Sequence, residues 1–318
     1  MCLLPLWGLP ERPISKFLRV IANSAICIAP TYSFAWISRA RLYHRGLTAR
    51  RRDCGRFTMR RSRFFVDPSN VDLKKQTISI KDANQIRQIL TVLRLRVGDG
   101  IDLLDGTGMI YPSIIISSTA IKGKIRSSDQ LICKFELPSA GSGESIIRLI
   151  VALPVLRGTR FEWALEKLTE LGVSQIIPII LERSVVAYDT DQSLSCTKFE
   201  RWHSIIREAA EQSERALIPN VVSPEKFTAF VKRPELVQAS KFIGAERADA
   251  PSINDALDSA LGAKSICIAI GAEGGFTDAE IGLSFTHGFA PISLGKRILR
   301  VETAAVYAVS VVVSRLDK

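Results

Sequence analysis

The sequence predicts an α/β protein in which a small β-barrel precedes a mostly parallel sheet with helices on both faces. Three observations predict this arrangement. The length of 318 residues suggests about two domains. Residues 64–138 hold short apolar or alternating runs between turn residues, which is typical of a small β-barrel. From Ile146 onward, strand-like runs alternate with amphipathic helices, which is typical of a parallel sheet.

Residues 1–63 are predicted to be a disordered organellar transit peptide. Residues 1–66 contain 13 Lys and Arg but only two acids, so the 30 basic and 30 acidic residues that follow leave the rest of the chain formally neutral. A segment rich in Arg and poor in acids has the composition of a transit peptide. The net charge of +11 therefore indicates import rather than RNA binding. We expect the imported protein to be located in the plastid (chloroplast) stroma, with the mitochondrial matrix as the alternative location.

An apolar run over residues 20–37 could instead be a membrane span. Its length is near the lower limit for crossing a bilayer. Polar residues and a proline interrupt it, namely Asn23, Ser24, Pro30, Thr31 and Ser33. We expect no membrane attachment of the mature form, and a retained anchor is the less favoured alternative.

Residues 64–140 are predicted to form the β-barrel, with one helix inserted. The predicted strands are Thr77–Ile80, Gly100–Leu104, Tyr111–Ser117, Lys122–Arg126 and Leu131–Leu137. Helical spacing of apolar residues from Ile86 to Leu93 predicts the helix, with Asp82 as its cap. The small residues at 139–143 predict a flexible linker to the second domain.

Residues 146–318 are predicted to form the parallel sheet and its helices. The predicted strands are Leu149–Leu153, Ile176–Leu181, Ile266–Ile270 and Pro291–Leu294. Capping boxes at Thr159, Thr197 and Thr277 predict three helix starts. A small-residue-rich run predicts a buried helix at Thr303–Val313. Because ligands bind beyond the carboxyl ends of parallel strands, we expect the site in the loops after Leu181, Ile270 and Leu294.

Cysteine and histidine placement indicates neither a metal site nor a hydrolase. The six cysteines form no C-x-x-C pair and lie far apart in the folded part. The three histidines have no G-x-S-x-G partner. The glycine-rich stretches match neither the dinucleotide fingerprint nor the P-loop. We therefore expect no metal, no disulfide and no triphosphate site.

Two loops are the candidate ligand-binding segments. Residues 271–276 carry three glycines between a strand and a helix, so their backbone can approach a ligand closely. Residues 294–303 interleave four charged with apolar side chains between a buried strand and a buried helix. Such a segment can present apolar backbone to one ligand and arginine to an anionic one. Polar residues at 182–184 and 208–215 are expected near the same edge.

Together these segments resemble the 16S rRNA (uracil-N3) methyltransferase family of the SPOUT class. The resemblance rests on 161–173, 177–184, 208–215, 270–276 and 294–304, which stand in the family's order. The last two in combination are highly specific. Residues 92–106 resemble the family's N-terminal PUA-like RNA-binding barrel, so the resemblance covers about 64–318.

The resemblance implies a homodimer whose C-terminal chain forms a trefoil knot, with S-adenosyl-L-methionine as cofactor. The implied substrate is small-subunit rRNA or the assembled small ribosomal subunit. The implied catalytic residues are Arg300 and Glu302. RNA contacts would come from Arg157, Arg215 and Arg94. The cofactor pocket would be lined by residues of the two loops, namely Gly271, Glu273, Gly274, Leu294, Gly295, Ile298, Leu299 and Thr303.

The sequence departs from the family pattern at three places and leaves two other functions open. Ala272 stands where the family usually has Pro, Gln88 stands where it usually has His, and residues 154–158 look lengthened. One alternative is a non-catalytic RNA-binding ribosome-assembly factor. The other is a SPOUT methyltransferase that acts on another RNA position.

Overall fold

The computed structural model describes residues 61–120, 125–141, 143–184, 196–244 and 250–317. The predicted transit peptide lies outside these residues apart from its last three positions. Arg63, the last of them, already begins the first strand of the fold. The apolar run at 20–37 also lies outside the described residues. Within the described part, no helix has the length and apolar character that a membrane span needs.

Seven short strands between residues 63 and 140 build the first sheet. They are β1 (Arg63–Phe65), β2 (Val71–Asp72), β3 (Thr77–Ile80), β4 (Gly100–Leu104), β5 (Met109–Ser118), β6 (Leu131–Phe135) and β7 (Ser139–Ala140). The order is β1-β4-β5-β6-β3-β2, with β7 beside β5. All pairs are antiparallel except β1 with β4. The predicted β-rich segment is thus confirmed, and its description as a PUA-like barrel stays a prediction.

One helical segment crosses the first sheet, as the sequence predicted. Helix α1 (Ala83–Arg87) begins behind Asp82, whose side chain accepts a hydrogen bond from the amide of Asn84 at 2.9 Å. A π-helical turn, Gln88–Val92, continues it. Ile86 and Ile89 are fully buried against the sheet. The predicted strand Lys122–Arg126 falls largely outside the described residues, and its last two positions are not in a strand.

The second sheet is entirely parallel, which confirms the predicted α/β class with a parallel sheet. Its strands are β8 (Arg148–Pro154), β9 (Gln175–Ile180), β10 (Asn220–Val221), β11 (Glu225–Lys226), β12 (Ser240–Gly244), β13 (Ser265–Ala269) and β14 (Phe289–Ile292). The order is β10-β9-β8-β13-β12-β14, and β11 also pairs with β9. The sequence did not predict β12, although this strand separates β13 from β14.

Helices cover both faces of the parallel sheet. They are α2 (Arg160–Glu170), α3 (Cys196–Gln212), α4 (Phe227–Phe230), α5 (Ile253–Ala256), α6 (Asp278–Thr286) and α7 (Val301–Leu316). Alternate residues of β8 divide between two cores. Leu149 and Val151 pack with α2, α3, α5 and α7, whereas Ile150 and Ala152 pack with α4 and aromatic residues that include Phe276. This division follows from the two-residue period of a strand.

Only one of the three predicted capping boxes is present. Thr277 and Glu280 bond reciprocally at the start of α6. Thr159 makes no side-chain cap because its backbone is helical rather than extended, and its predicted partner Glu162 pairs instead with Arg201. Thr197 lies inside α3, which already begins at Cys196. The helix start predicted at Thr159 is confirmed, whereas the capping boxes predicted at Thr159 and Thr197 were wrong.

The predicted flexible linker is wrong for residues 139–141. Ser139 and Ala140 form β7 on β5, and the amide of Gly141 donates to the carbonyl of Gly108 at 2.8 Å. A Cβ atom on Gly141 would lie 2.2 Å from the Cβ of Ala216. Small residues in this segment thus permit close packing. Composition alone cannot distinguish a closely packed segment of small residues from a flexible one.

Replacing Gly141 with alanine is expected to lower the free energy of unfolding by about 1–3 kcal/mol, because the added methyl group overlaps Ala216. Urea unfolding of the purified protein measures the change. The matched control is Gly282→Ala in α6, where an added Cβ meets nothing within 4 Å. That variant should gain about 0.5–1 kcal/mol from helix propensity. Equal responses of the two variants would contradict the packing account.

Candidate active site at the carboxyl edge of the parallel sheet

The two candidate loops leave the same edge of the parallel sheet, on either side of β12. The glycine loop (residues 270–277) follows β13, and the basic loop (residues 293–300) follows β14. Gly244 ends β12 between them. A Cβ on Gly244 would lie 3.7 Å from Ile270 Cδ1 and 4.0 Å from Leu294 Cδ1. The two loops therefore approach each other across the end of a strand that lacks a side chain there.

The glycine loop is a tight turn held over the ring of Phe276. A Cβ on Gly271 would lie 3.1 Å from that ring, so only glycine fits there without a shift. Gly275 has a φ of +71° and donates its amide to the carbonyl of Ala272 at 2.8 Å. Ala272 is buried and supports this turn without the proline that the family usually has. The turn thus forms despite the substitution.

Residues that follow β9 clamp the glycine loop from the other side. Arg183 Nη1 donates to the carbonyls of Gly274 at 3.0 Å and Phe276 at 3.3 Å. The Glu280 carboxylate accepts from the amide of Glu182 at 3.0 Å and from the amide of Thr277 at 2.8 Å. The structure therefore brings the polar residues at 182–184 to this edge, as expected. The part that Arg183 plays in holding the loop was not predicted.

The basic loop exposes most of its side chains. Gly295 has a φ of +111°, and Ile298 is 87% exposed. Arg300 precedes α7 with an extended backbone and does not cap the helix with its side chain. Leu294 and Leu299 are half-buried, and Thr303 is exposed on the first turn of α7.

Glu302 is the buried carboxylate of the site. Its residue is 7% exposed, and its Oε2 atom is inaccessible to solvent and has no hydrogen-bond partner among the described residues. Arg160 Nη1 lies 3.9 Å from that oxygen, and Arg160 Nη2 donates to Glu273 Oε1 at 2.9 Å. One guanidinium therefore links α2, the glycine loop and α7. Arg160 was not predicted as a site residue, because nothing in the sequence around the start of α2 indicates its distant partners.

The predicted RNA contact by Arg215 does not agree with its placement in the structure. Its guanidinium is 5% exposed and donates to the carbonyls of Thr169 at 3.0 Å and Val173 at 2.8 Å. It also pairs with Glu144 at 2.9 Å. Val173 directly precedes β9, so this cluster lies at the amino edge of the sheet, opposite the two loops. Its contacts give Arg215 a structural role within the subunit.

The polar stretch at 208–215 faces the first sheet rather than the two loops. Glu211 Oε1 accepts from the amide of Phe65 in β1 at 3.0 Å. Burial raises the pKa of Glu211, and the bond from Phe65 and the charge of Arg207 oppose that rise. Glu211, Gln212 and Glu214 line a cleft of about 260 Å³ on this side, together with Arg61, Arg63, Gln88 and Leu93. The expected position of this stretch near the strand ends was therefore wrong.

The remaining predicted arginines lie in separate places. Arg157 is exposed in the connection from β8 to α2, at the edge where the two loops lie. Arg94 is exposed beyond the π-helical turn of the first sheet, with a φ of +60°. Their contacts with RNA stay predictions.

Comparison with known proteins gives consistent results. A family model described as an RNA methyltransferase domain matches residues 143–313. Ribosomal RNA small subunit methyltransferase E of Synechocystis is 34% identical over 241 residues, which cover 76% of this chain and 74% of the relative. The Bacillus subtilis protein of the same name is 29% identical over 257 residues, which cover 79% of this chain and 95% of the relative.

Solved structures of similar proteins extend the comparison to the whole fold. A ribosomal RNA small subunit methyltransferase E from Neisseria gonorrhoeae, bound to S-adenosyl methionine, aligns with a TM-score of 0.67 and 27% identity, covering 81% of this chain and 98% of the other. A putative methyltransferase from Legionella pneumophila, in complex with the same cofactor, aligns with a TM-score of 0.66 and 27% identity. This alignment covers 80% of this chain and 98% of the other.

Proposed function

This chain belongs to the ribosomal RNA small subunit methyltransferase E family, and from that membership we propose that it methylates N3 of a uridine in the small-subunit, 16S-type ribosomal RNA of an organelle. Membership gives the broader activity, which is methylation of ribosomal RNA with S-adenosylmethionine as cofactor. The motifs at 270–276 and 294–304 support the choice of uracil N3, and the basic N-terminal segment supports the organelle.

The observation that carries the proposal is the convergence of the two loops beside a buried oxygen of Glu302 that has no hydrogen-bond partner among the described residues. The loops fit a small organic cofactor, because Gly275 and Gly295 have open space where a Cβ would stand and so leave backbone uncovered in both loops. The residues that would hold it are Gly271, Glu273, Gly274, Leu294, Gly295, Ile298, Leu299 and Thr303. S-adenosylmethionine, when bound, supplies a methyl group activated by a sulfonium.

The residues of this chain have two tasks in the proposed reaction. Uracil N3 carries a proton that must leave when the nitrogen gains a methyl group. We assign the acceptance of that proton to the Glu302 carboxylate, whose Oε2 has no hydrogen bond among the described residues. Arg300, at the start of α7, stabilises the uracil oxygens as negative charge develops on them. The base must leave its stack to reach these groups.

The proposal includes the assembly and the RNA contacts. We propose a homodimer with a C-terminal trefoil knot, supported by the resemblance of the two loops to the SPOUT class. Arg157 lies on the side of the sheet where the uridine would enter, and Arg94 lies on the predicted PUA-like barrel. The part of the chain from residue 67 is formally neutral, so RNA affinity would come from such local arginines and from the shape of the small subunit.

Mapping of modified bases in organellar small-subunit rRNA, with and without this protein, tests the proposed function. We expect one N3-methyluridine to disappear in its absence and to return when purified protein and S-adenosylmethionine are added to unmodified small subunits. A methyl group at another RNA position would identify a different methyltransferase. Unchanged rRNA methylation together with no cofactor binding by calorimetry would favour the non-catalytic assembly factor.

A further inference from the structure

Arg160 contacts both the glycine loop and α7. It is the first residue of α2, after the connection that follows β8, and its side chain is 35% exposed. Its Nη2 atom lies 2.9 Å from Glu273 Oε1, and its Nη1 atom lies 3.9 Å from Glu302 Oε2. The first distance is a charge-assisted hydrogen bond, and the second is an ion pair without one.

The two carboxylates differ in how much they depend on this guanidinium. The Glu273 side chain is 33% exposed and can be solvated, whereas the Glu302 side chain is 10% exposed and its Oε2 has no hydrogen bond. A buried carboxylate without a nearby cation is strongly unfavourable. Without Arg160, Glu302 would have to rotate toward solvent. Arg160 therefore stabilises Glu302 in place without donating a hydrogen bond to Oε2.

We propose that Arg160 is a positioning residue, which fixes the carboxylate of Glu302 relative to the glycine loop through its simultaneous contact with Glu273. The inference rests on the proposed function for its catalytic consequence. In that reaction the N3–H bond breaks and its proton passes to the Glu302 carboxylate. The electron pair left on N3 forms the new bond to the methyl group, while the bond from that methyl group to the sulfonium sulfur breaks and leaves a neutral thioether. A displacement of the acceptor by about 1 Å can lower the rate of such a step about 100-fold.

The test uses the full protein with Arg160→Met, Arg160→Lys and the control Arg201→Met. Arg201 also pairs with a glutamate of α2, Glu162, at 2.6 Å, but its side chain is 62% exposed. Three quantities are measured for each variant: the thermal midpoint, the dissociation constant for S-adenosylmethionine by calorimetry, and the single-turnover rate of transfer to unmodified small subunits at saturating cofactor.

For Arg160→Met we expect cofactor binding about tenfold weaker, because the glycine loop loses a charge-assisted hydrogen bond, and transfer about 100-fold slower. Arg160→Lys should recover part of each loss, since one ammonium can reach one carboxylate but lacks the two-pronged guanidinium. Arg201→Met should match the wild type in cofactor affinity and in transfer rate. If Arg160→Met does not fold, the cofactor affinity and the transfer rate of Arg160→Lys test the proposal instead.

A double-mutant cycle with Glu302→Gln separates positioning from a general structural effect. We expect the double variant to be no slower, and to bind cofactor no more weakly, than the worse single variant. Additive losses, or a lowered thermal midpoint with unchanged affinity and rate, would overturn the proposal. If wild-type protein transfers no methyl group to small subunits, the proposed function fails. The coupling between Arg160 and Glu302 in cofactor affinity then still decides the positioning proposal.

Discussion

Replacing Arg300 with alanine is expected to slow methyl transfer by about 100- to 1000-fold while cofactor binding survives. Removing one donor to a developing oxyanion typically has an effect of this size. Arg300 is exposed at the start of α7 and does not cap the helix, so its loss should leave the fold intact. Single-turnover transfer to unmodified small subunits measures the rate, and calorimetry measures the affinity for S-adenosylmethionine.

The matched control for Arg300 is Arg297→Ala in the same basic loop. Arg297 is also exposed, but it lies further from α7 and carries no predicted role. We expect its rate to remain within about threefold of the wild type, because a surface charge contributes little when it is not aimed at the reacting group. Loss of cofactor affinity in Arg300→Ala, with an unchanged rate at saturation, would assign Arg300 to cofactor binding instead.

Replacing Glu144 with alanine is expected to lower the free energy of unfolding by about 3–5 kcal/mol. Glu144 Oε1 accepts from the amides of Ala216 at 2.8 Å and Leu217 at 2.9 Å. Its Oε2 accepts from Arg215 Nη2 at 2.9 Å. The variant would leave the Arg215 cation, which is 5% exposed, with only carbonyl partners. Urea unfolding measures the loss.

Two further variants show whether the buried pair causes that loss. Glu144→Gln keeps an acceptor for the two amides and should lose less stability than alanine. Glu136→Ala removes an exposed carboxylate from the same stretch of chain and should change the free energy by no more than about 0.5 kcal/mol. If Glu144→Ala were as stable as Glu136→Ala, the contacts of Glu144 would not be what holds its segment against residues 215–217.

Local sequence patterns predicted the core elements of the parallel sheet and the edge on which the site lies. The buried runs correspond to β8, β9 and β13 within one residue at each end, and the last predicted strand to β14 within two. Parallel strands place their carboxyl ends together, so the shared edge of the glycine loop and the basic loop followed from the parallel direction of the strands alone. Strand β12 was missed because its short run, Ser240–Gly244, has no clear period.

The sequence by itself determined the alternation of strands and helices, because apolar periodicity is a property of neighbouring residues. It also determined the two glycine-bearing loops, since glycine marks backbone that needs positive φ or close approach. Only the tertiary structure decided which charges meet. Arg160 finds Glu273 at a separation of 113 residues, and Arg215 lies at the amino edge of the sheet rather than with the two loops. Such pairs depend on where distant elements pack, and that packing leaves no local pattern in the chain.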